Sequence, residues 1–428
     1  MTKADILQPK RHVGSNQHPS IGQLALQGLA KPTNLYIAPS FQHMFMDIIQ
    51  FLRSDQLVAN IQSYFGVQVT PVTKDFDEVY TKKNNGYQAS NNKYECVINN
   101  KFWYYLFKFG TELGDELFYS MFIPFWFWNI DGAVGRRVIL VWAIVMCIGQ
   151  AVKDIVRWSR PEYPAVKLQN KWVLEYGMPS THAMVGVSIP FSVLLFTLNR
   201  YQYNIMVGLV LAVLWCTLIC VSRVYLGMHS VLDIIAGLAL SILLMVPLVP
   251  LVDQFDNYFI TSPTGPLLCL VLSILTIIYY PASDKWTPTR GDSTMIVSVC
   301  VGVQSGSWLN YQTGVMSSAE LSPPYAIMWP SFVMIGCLII RTVLGFLIVF
   351  ATKKLAKKFF YNVICSFLRL DPDVIRKSKN TLENKHKAIV ELGCTYLTYS
   401  SVGFNILYTI PILFRLLGIE RPTFYTEI

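Results

Sequence analysis

The sequence predicts an all-α integral membrane protein, a bundle of about nine spanning helices, on three observations. Of its 428 residues 53% are hydrophobic and only 14% are charged, and the mean hydropathy is +0.40. Long apolar runs recur from Phe102 onward, and the run from Tyr201 to Ser222 contains no charged residue. An apolar run of roughly 20 residues crosses a bilayer as a helix, because a helix satisfies its own backbone hydrogen bonds there.

The net charge indicates which partners to expect, and the cysteine positions indicate whether disulfides or a metal site are expected. The formal net charge is +9 and the isoelectric point is about 9.0, but the apolar runs leave no room for a sizeable soluble basic domain. We therefore expect membrane lipids and a phosphate-bearing substrate as partners, and no nucleic acid. Seven of the nine cysteines lie in apolar stretches and no CxxC pair occurs, so neither a disulfide framework nor a metal site is predicted.

The polar N-terminal region, residues 1–101, is predicted to lie outside the bilayer, before a transmembrane domain at 102–428. Two groups of apolar residues in it repeat at helical spacing, which indicates candidate amphipathic helices. Such a pair would lie on the membrane surface or pack against the membrane domain. The two groups are Phe41, Met44, Phe45, Ile48 and Leu52, then Leu57, Val58, Ile61 and Tyr64.

Nine spans are predicted in the transmembrane domain. The seventh is the weakest, because polar residues dilute it, and it is expected to be re-entrant or to face the bundle interior. A basic connector loop at 353–391 follows the eighth span, with ten Lys or Arg against four acidic residues, and is expected to meet anionic lipid. The spans are roughly 108–129, 136–153, 182–199, 203–222, 230–252, 266–283, 294–315, 325–350 and 393–415.

Histidines and cations recur at the ends of these spans. Six residues separate Lys153 from Arg160, five separate Arg223 from His229, and three separate His229 from Asp233. The second span ends at Lys153 and the third begins at His182, within the string Pro-Ser-Thr-His-Ala at 179–183. The fourth span ends at Ser222 and the fifth begins at His229, so all of these side chains are expected on one membrane face.

This multi-part pattern resembles the signature of the type 2 phosphatidic acid phosphatase (PAP2) superfamily, with the catalytic core at 153–233. Many members have Gly where this chain has Thr181. The string Pro-Ser-Thr-His-Ala at 179–183, which contains this threonine, resembles the sphingosine-1-phosphate phosphatase branch. So do the stretch GTELGDELFY beginning at Gly110 and the later Arg290-Gly291-Asp292.

The resemblance implies a metal-independent hydrolase that needs no cofactor and forms a phosphohistidine. His229 would attack phosphorus, Asp233 would accept the other imidazole proton, and His182 would protonate the leaving alkoxide and then activate water. Cations and hydrogen-bond donors would hold the phosphoryl oxygens. These phosphate-binding residues are Lys153, Arg160, Ser180, Thr181 and Arg223.

The branch implies sphingosine 1-phosphate or dihydrosphingosine 1-phosphate as substrate, with free base and phosphate as products. Glu162, Glu175, Glu112 and Asp115 are candidate acceptors for the substrate's ammonium group. Two alternatives stay open: a broad-specificity phosphatase acting on phosphatidate and lysophosphatidate, and a non-catalytic phosphate-binding transporter.

The resemblance also implies a multi-pass protein of the endoplasmic reticulum membrane, with the catalytic face towards the lumen. The positive-inside rule opposes this orientation, since nine spans place the basic connector and the catalytic loops on one side. The sequence leaves the sidedness, the oligomeric state, the chain-length preference and the role of residues 1–101 open.

Overall fold

The structure, a computed structural model, describes residues 39–71, 94–319 and 322–428, and it is almost entirely helical. Two pairs of short strands accompany the helices within these ranges. The antiparallel pair joins β1 (Val67–Pro71) to β2 (Tyr94–Ile98), and the parallel pair joins β3 (Tyr201–Gln202) to β4 (Tyr325–Ala326). The helices are α1 (Pro39–Arg53), α2 (Asp55–Tyr64), α3 (Lys101–Glu112), α4 (Glu116–Asn129), α5 (Gly132–Val156), α6 (Thr181–Leu198), α7 (Ile205–Tyr225), α8 (Val231–Thr261), α9 (Gly265–Ile278), α10 (Thr289–Gln312), α11 (Phe332–Phe367), α12 (Pro372–Lys377), α13 (Lys385–Phe404) and α14 (Ile410–Leu416).

The prediction of an all-α polytopic membrane bundle is confirmed. Within the described residues, six helical segments are long and apolar enough to cross a membrane: α5, α6, α7, α8, α11, and the continuous helix Lys385–Leu416 that joins α13 to α14 through a π-helical turn. The other three predicted spans correspond to α4 and α9, which have 14 residues each, and to the more polar α10.

Contacts at the two ends of the bundle show how the later helices run. The Tyr280 hydroxyl donates to Asp154 Oδ2 at 3.0 Å, so the segment after α9 reaches the end of the bundle where α5 finishes. Trp308 Nε1 donates to the Ser262 carbonyl at 2.9 Å, so α10 runs back to the opposite end. Tyr201 pairs with Tyr325 at that opposite end, which places the start of α11 beside the α6–α7 turn.

Helix α10 is buried in the bundle, as its polar composition predicts. Gln304, Ser307 and Asn310 are each at most 1% exposed. A Cβ atom at Gly302 would lie 2.1 Å from the Ser400 carbonyl oxygen, so only glycine permits the close approach of α10 to α13. Small residues at such a contact let two membrane helices pack backbone to backbone.

The basic segment at 353–391 differs from the predicted loop. Helix α11 continues to Phe367, α12 covers Pro372–Lys377, and α13 begins at Lys385. The sequence contains neither glycine nor proline between Gly345 and Pro372, and its lysines favour helix, so nothing stops α11 where the apolar run ends. Charge alone marked the end of the apolar span but not the end of the helix.

The two predicted N-terminal helices are present as α1 and α2. Val58 of α2 is fully buried in a cluster with Ala183, Val224 and Ile234, so α2 packs against the membrane domain through this residue. Of the two placements that the sequence left open, packing is the one observed for α2. The predicted region also extends over residues 1–38 and 72–93, which lie outside the described residues.

Candidate active site

The eight predicted site residues all lie at one end of the bundle, although they come from four helix ends and the loop after α5. Each is at least nine-tenths buried, with exposed fractions of 0–9%. Lys153 is near the end of α5, Thr181 and His182 begin α6, and Arg223 is in the last turn of α7. His229 precedes α8, so the two imidazoles share one face of the membrane domain.

Lys153 is held by two partners. Its Nζ donates to Glu175 Oε2 at 2.7 Å and to the Thr181 hydroxyl at 3.1 Å. Glu175 is 4% exposed and also lies 3.7 Å from Arg160 Nη2. A carboxylate therefore stands among the cations and offsets part of the cost of burying them.

Arg160 connects the loop after α5 to His229. Its Nη1 donates to the Met228 carbonyl at 2.8 Å and lies 3.1 Å from His229 Nε2. An arginine can only donate, so His229 Nε2 accepts and the neutral ring carries its proton on Nδ1. Burial and the nearby guanidinium groups of Arg160 and Arg223 hold the pKa of His229 well below its usual range. The free imidazole is therefore neutral, with the Nε2 lone pair directed at the Arg160 guanidinium.

Asp233 lies near His229 but its main contacts are with Ser230. His229 Nδ1 is 3.8 Å from Asp233 Oδ2, which is beyond hydrogen-bonding distance. That oxygen accepts from the Ser230 amide at 2.8 Å, while the Ser230 hydroxyl accepts from the Asp233 amide, and together they form a capping box at the start of α8. The predicted acceptance of the Nδ1 proton requires a shortening of this separation when substrate binds.

Ser180 and Thr181 begin α6. The Ser180 hydroxyl caps the helix by accepting from the Ala183 amide at 3.4 Å, and the Ser180 amide donates to the Asp233 carbonyl at 3.0 Å. The Thr181 hydroxyl accepts from Lys153. A helix N-terminus directed at the site adds a partial positive charge for an anion.

Arg223 is fully buried and has unused hydrogen-bonding capacity. Its Nη1 donates to the Thr111 hydroxyl at 2.5 Å and to Gln169 Oε1 at 3.1 Å. Its Nε and Nη2 have no hydrogen-bond partner among the described residues. Buried polar atoms are normally paired, so two unpaired nitrogens on one guanidinium leave donors available to an oxyanion.

His182 is the least constrained member of the site. Its Nε2 is buried and has no hydrogen-bond partner within the described part of the chain. The ring lies edge-on to Trp172, with 6.4 Å between ring centroids. A Cβ atom at Gly114 would lie 3.0 Å from His182 Cδ2, so the glycine leaves space for the imidazole. An unpaired ring nitrogen beside the cations suits proton transfer to a bound group.

Sequence reasoning missed the residues that hold the loop after α5 in place. The Gln62 side chain, 1% exposed, donates to the Val166 and Tyr225 carbonyls and accepts from the Val166 amide. Gly227 adopts a φ of +66°, and a Cβ atom there would lie 2.2 Å from the Val166 carbonyl oxygen. No local pattern marks Gln62, but the Gly227 that follows the predicted span is the kind of residue that a left-handed turn requires.

Loss of the Arg223 guanidinium is expected to lower kcat about 100- to 1,000-fold, because a preorganised donor to the developing charge is removed. Arg223→Lys keeps the charge without the planar fork and should recover only part of the loss seen in Arg223→Ala. Steady-state phosphate release measures both variants. Arg376→Ala removes an exposed arginine and serves as the control. Full activity in Arg223→Ala would contradict the assignment of this residue to the phosphate.

Comparison with known proteins gives the family. A model described as the PAP2 superfamily matches residues 135–256. The chain is 41% identical over 325 residues to sphingosine-1-phosphate phosphatase 1 of Rattus norvegicus, covering 76% of this chain and 74% of the relative. It is 37% identical over 326 residues to sphingosine-1-phosphate phosphatase 2 of Homo sapiens, covering 76% of this chain and 80% of the relative.

A more distant relative is a dihydrosphingosine 1-phosphate phosphatase of Schizosaccharomyces pombe, 26% identical over 226 residues, 50% of this chain and 54% of the relative. No solved structure matches the chain. The PAP2 match includes the four helix ends that meet at the site, and the similarity to the phosphatases extends well beyond it. The chain belongs to the PAP2 superfamily and, within it, to the family of the sphingosine-1-phosphate phosphatases.

Proposed function

We propose that this membrane protein hydrolyses sphingosine 1-phosphate and dihydrosphingosine 1-phosphate to the free base and inorganic phosphate. The main support for the proposal is that two buried histidines and three buried cations, from four helix ends and the loop after α5, lie together at one end of the bundle. The names of the relatives supply the substrate class.

In the proposed reaction, Arg160, Arg223 and Lys153 hold the phosphoryl oxygens and neutralise the charge that develops on them. His229 Nε2 attacks phosphorus as the bond to the lipid oxygen breaks, and His182 gives that oxygen a proton. His182 then takes a proton from water, which displaces phosphate from His229. Asp233, beside Nδ1, stabilises the positive ring that forms in the first step.

The two alternatives, a phosphate-binding transporter and a broad-specificity phosphatase, require different features of the site and of the substrate. A transporter needs an anion site but no neutral nucleophilic imidazole beside a second histidine. A broad-specificity phosphatase would use the same machinery on phosphatidate. The chain's similarity to named sphingosine-1-phosphate phosphatases over about three quarters of its length favours the narrower substrate class.

We expect the purified protein to release phosphate from dihydrosphingosine 1-phosphate in the presence of EDTA, because fixed cations take the place of a metal ion. The kcat/KM for phosphatidate and lysophosphatidate should be lower in the same detergent. Phosphate is measured colorimetrically over a range of substrate in mixed micelles. Faster hydrolysis of phosphatidate would favour the broad-specificity alternative, and binding without release would favour the transporter.

We further propose that the protein resides in the endoplasmic reticulum membrane with its catalytic end towards the lumen. The basic half of α11 runs towards that same end, so the positive-inside rule argues for the opposite orientation. Substitution of the exposed Glu162 by cysteine distinguishes the two orientations. In sealed microsomes, an impermeant maleimide should label Glu162→Cys only after permeabilisation, with the unsubstituted chain as control. Labelling without detergent would place the site in the cytosol.

A further inference from the structure

A small cavity adjoins the catalytic site between α4, α5 and α10. It has a volume of about 30 Å³ and shares Glu175, Thr181 and His182 with the phosphate site. Part of its lining comes from two stretches that the sequence singled out and the proposed reaction does not use. One is GTELGDELFY, which supplies Glu116 and Tyr119, and the other is Arg290-Gly291-Asp292.

The wall of this cavity carries polar atoms that nothing in the described chain satisfies. The Tyr119 hydroxyl and Gln150 Oε1 belong to side chains that are 3% and 4% exposed, and neither atom has a hydrogen-bond partner among the described residues. Asp292 Oδ2 is buried and equally unpaired. Leaving such groups unpaired costs about 1–3 kcal/mol each, so the cavity suits a polar ligand that pairs with them.

Two carboxyl groups that line the cavity, those of Glu116 and Asp292, form no ion pair with a described residue. Neither Glu116 nor Asp292 makes an ion pair or a side-chain hydrogen bond with any residue that the structure describes. The nearby lysines are engaged elsewhere, Lys153 with Glu175 and Lys171 with Asp115. Two carboxylates at a partly buried wall are stabilised by a cation that carries several donors.

We propose that Glu116 and Asp292 bind the ammonium group of the sphingoid base and so determine specificity. This inference rests on the proposed function. In a sphingoid base phosphate the amine is on the carbon next to the one that bears phosphate, so its acceptor must adjoin the phosphate site, as this cavity does. A volume of about 30 Å³ takes one water-sized group. An ammonium fits, whereas the ester at the same position of phosphatidate does not.

Three of the four acceptors predicted from the sequence do not line this cavity: Asp115 is paired with Lys171, and Glu112 and Glu162 are exposed on the surface. The fourth, Glu175, does line it, but its Oε2 already accepts from Lys153 and lies 3.7 Å from Arg160 Nη2, so its charge is shared with two cations. The predicted spans place all four residues near the catalytic face. The distance in sequence between α4 and α10 concealed the pair that shares the cavity.

The double variant Glu116→Gln and Asp292→Asn keeps the shape of both side chains and removes their charge. We expect its kcat/KM for dihydrosphingosine 1-phosphate to fall about 10- to 100-fold, the scale of hydrogen bonds to a charged group. Its kcat/KM for the 2-deamino analogue, a long-chain 1,3-diol 1-phosphate, should not change. Glu162→Gln removes an exposed carboxylate and should leave both values unchanged.

The outcomes separate this inference from the function on which it rests. If the wild-type protein hydrolyses neither substrate, the proposed function fails. If it hydrolyses dihydrosphingosine 1-phosphate but the double variant keeps the wild-type ratio between the two substrates, the inference alone is overturned. An equal fall in kcat/KM for both substrates overturns the inference as well. The two carboxyl groups would then stabilise the fold or act on phosphate binding, and not bind the amine.

Discussion

Replacing His229 by alanine is expected to lower kcat for the lipid phosphate by about four to six orders of magnitude, the scale of losing a covalent nucleophile. The ring is buried and neutral, and its Nε2 lies 3.1 Å from Arg160 Nη1, where a phosphoryl oxygen would be held. Alanine removes the only group at that position that forms a bond to phosphorus in the proposed reaction. Release of labelled phosphate over hours measures the residual rate.

The covalent intermediate gives a second measurement on the same variant. Quenching the wild-type reaction in alkali should trap an acid-labile, alkali-stable phosphoryl group on the protein, and His229→Ala should trap none. His386→Ala removes an exposed histidine of α13 and should behave as wild type. Turnover near the wild-type rate in His229→Ala would assign the nucleophile elsewhere.

Replacing His182 by asparagine is expected to reduce kcat for the lipid substrate about 100- to 10,000-fold, the usual contribution of a general acid or base. An alkoxide is a poor leaving group and needs a proton as the ester bond breaks. In the proposed reaction the unpaired Nε2 of His182 provides it. Asparagine retains polarity at the start of α6 without a titrating ring.

An aryl phosphate separates the two tasks of His182, because p-nitrophenolate leaves without protonation. In His182→Asn we expect a burst of about one equivalent of p-nitrophenolate per site, since formation of the intermediate stays fast while its hydrolysis lacks a base. Stopped-flow absorbance follows the burst. Equal loss of burst and steady state would instead give His182 a role in binding or folding.

The arrangement of the site was predictable because its residues mark the ends of apolar segments. Lys153, His182, Arg223 and His229 each lie where a hydrophobic run starts or stops, and consecutive membrane helices bring alternate ends to the same face. The hydropathy pattern therefore predicted that Lys153 and His229, 76 positions apart, lie on the same face of the membrane. Their individual roles in catalysis stay predictions.

Contacts across the bundle were not predictable in the same way. The pairing of Glu175 with Lys153 depends on how the loop after α5 folds back, and Gln62 reaches that loop from the N-terminal region. Nothing in the local pattern distinguishes either residue from other polar residues in loops. Helix ends were also uncertain where charge and helix propensity disagree, as in α11, whose lysines end an apolar run without ending the helix.

The carboxylate of Glu175 beside Lys153 and Arg160 has a consequence for how the catalytic cycle closes. A pocket with three uncompensated cations would retain free orthophosphate, and each round would wait for the product to depart. The negative charge of Glu175 weakens that hold, while the lipid substrate keeps the additional anchorage of its hydrocarbon chain. Inorganic phosphate should therefore inhibit only weakly, leaving the pocket vacant for the next molecule that diffuses in from the bilayer.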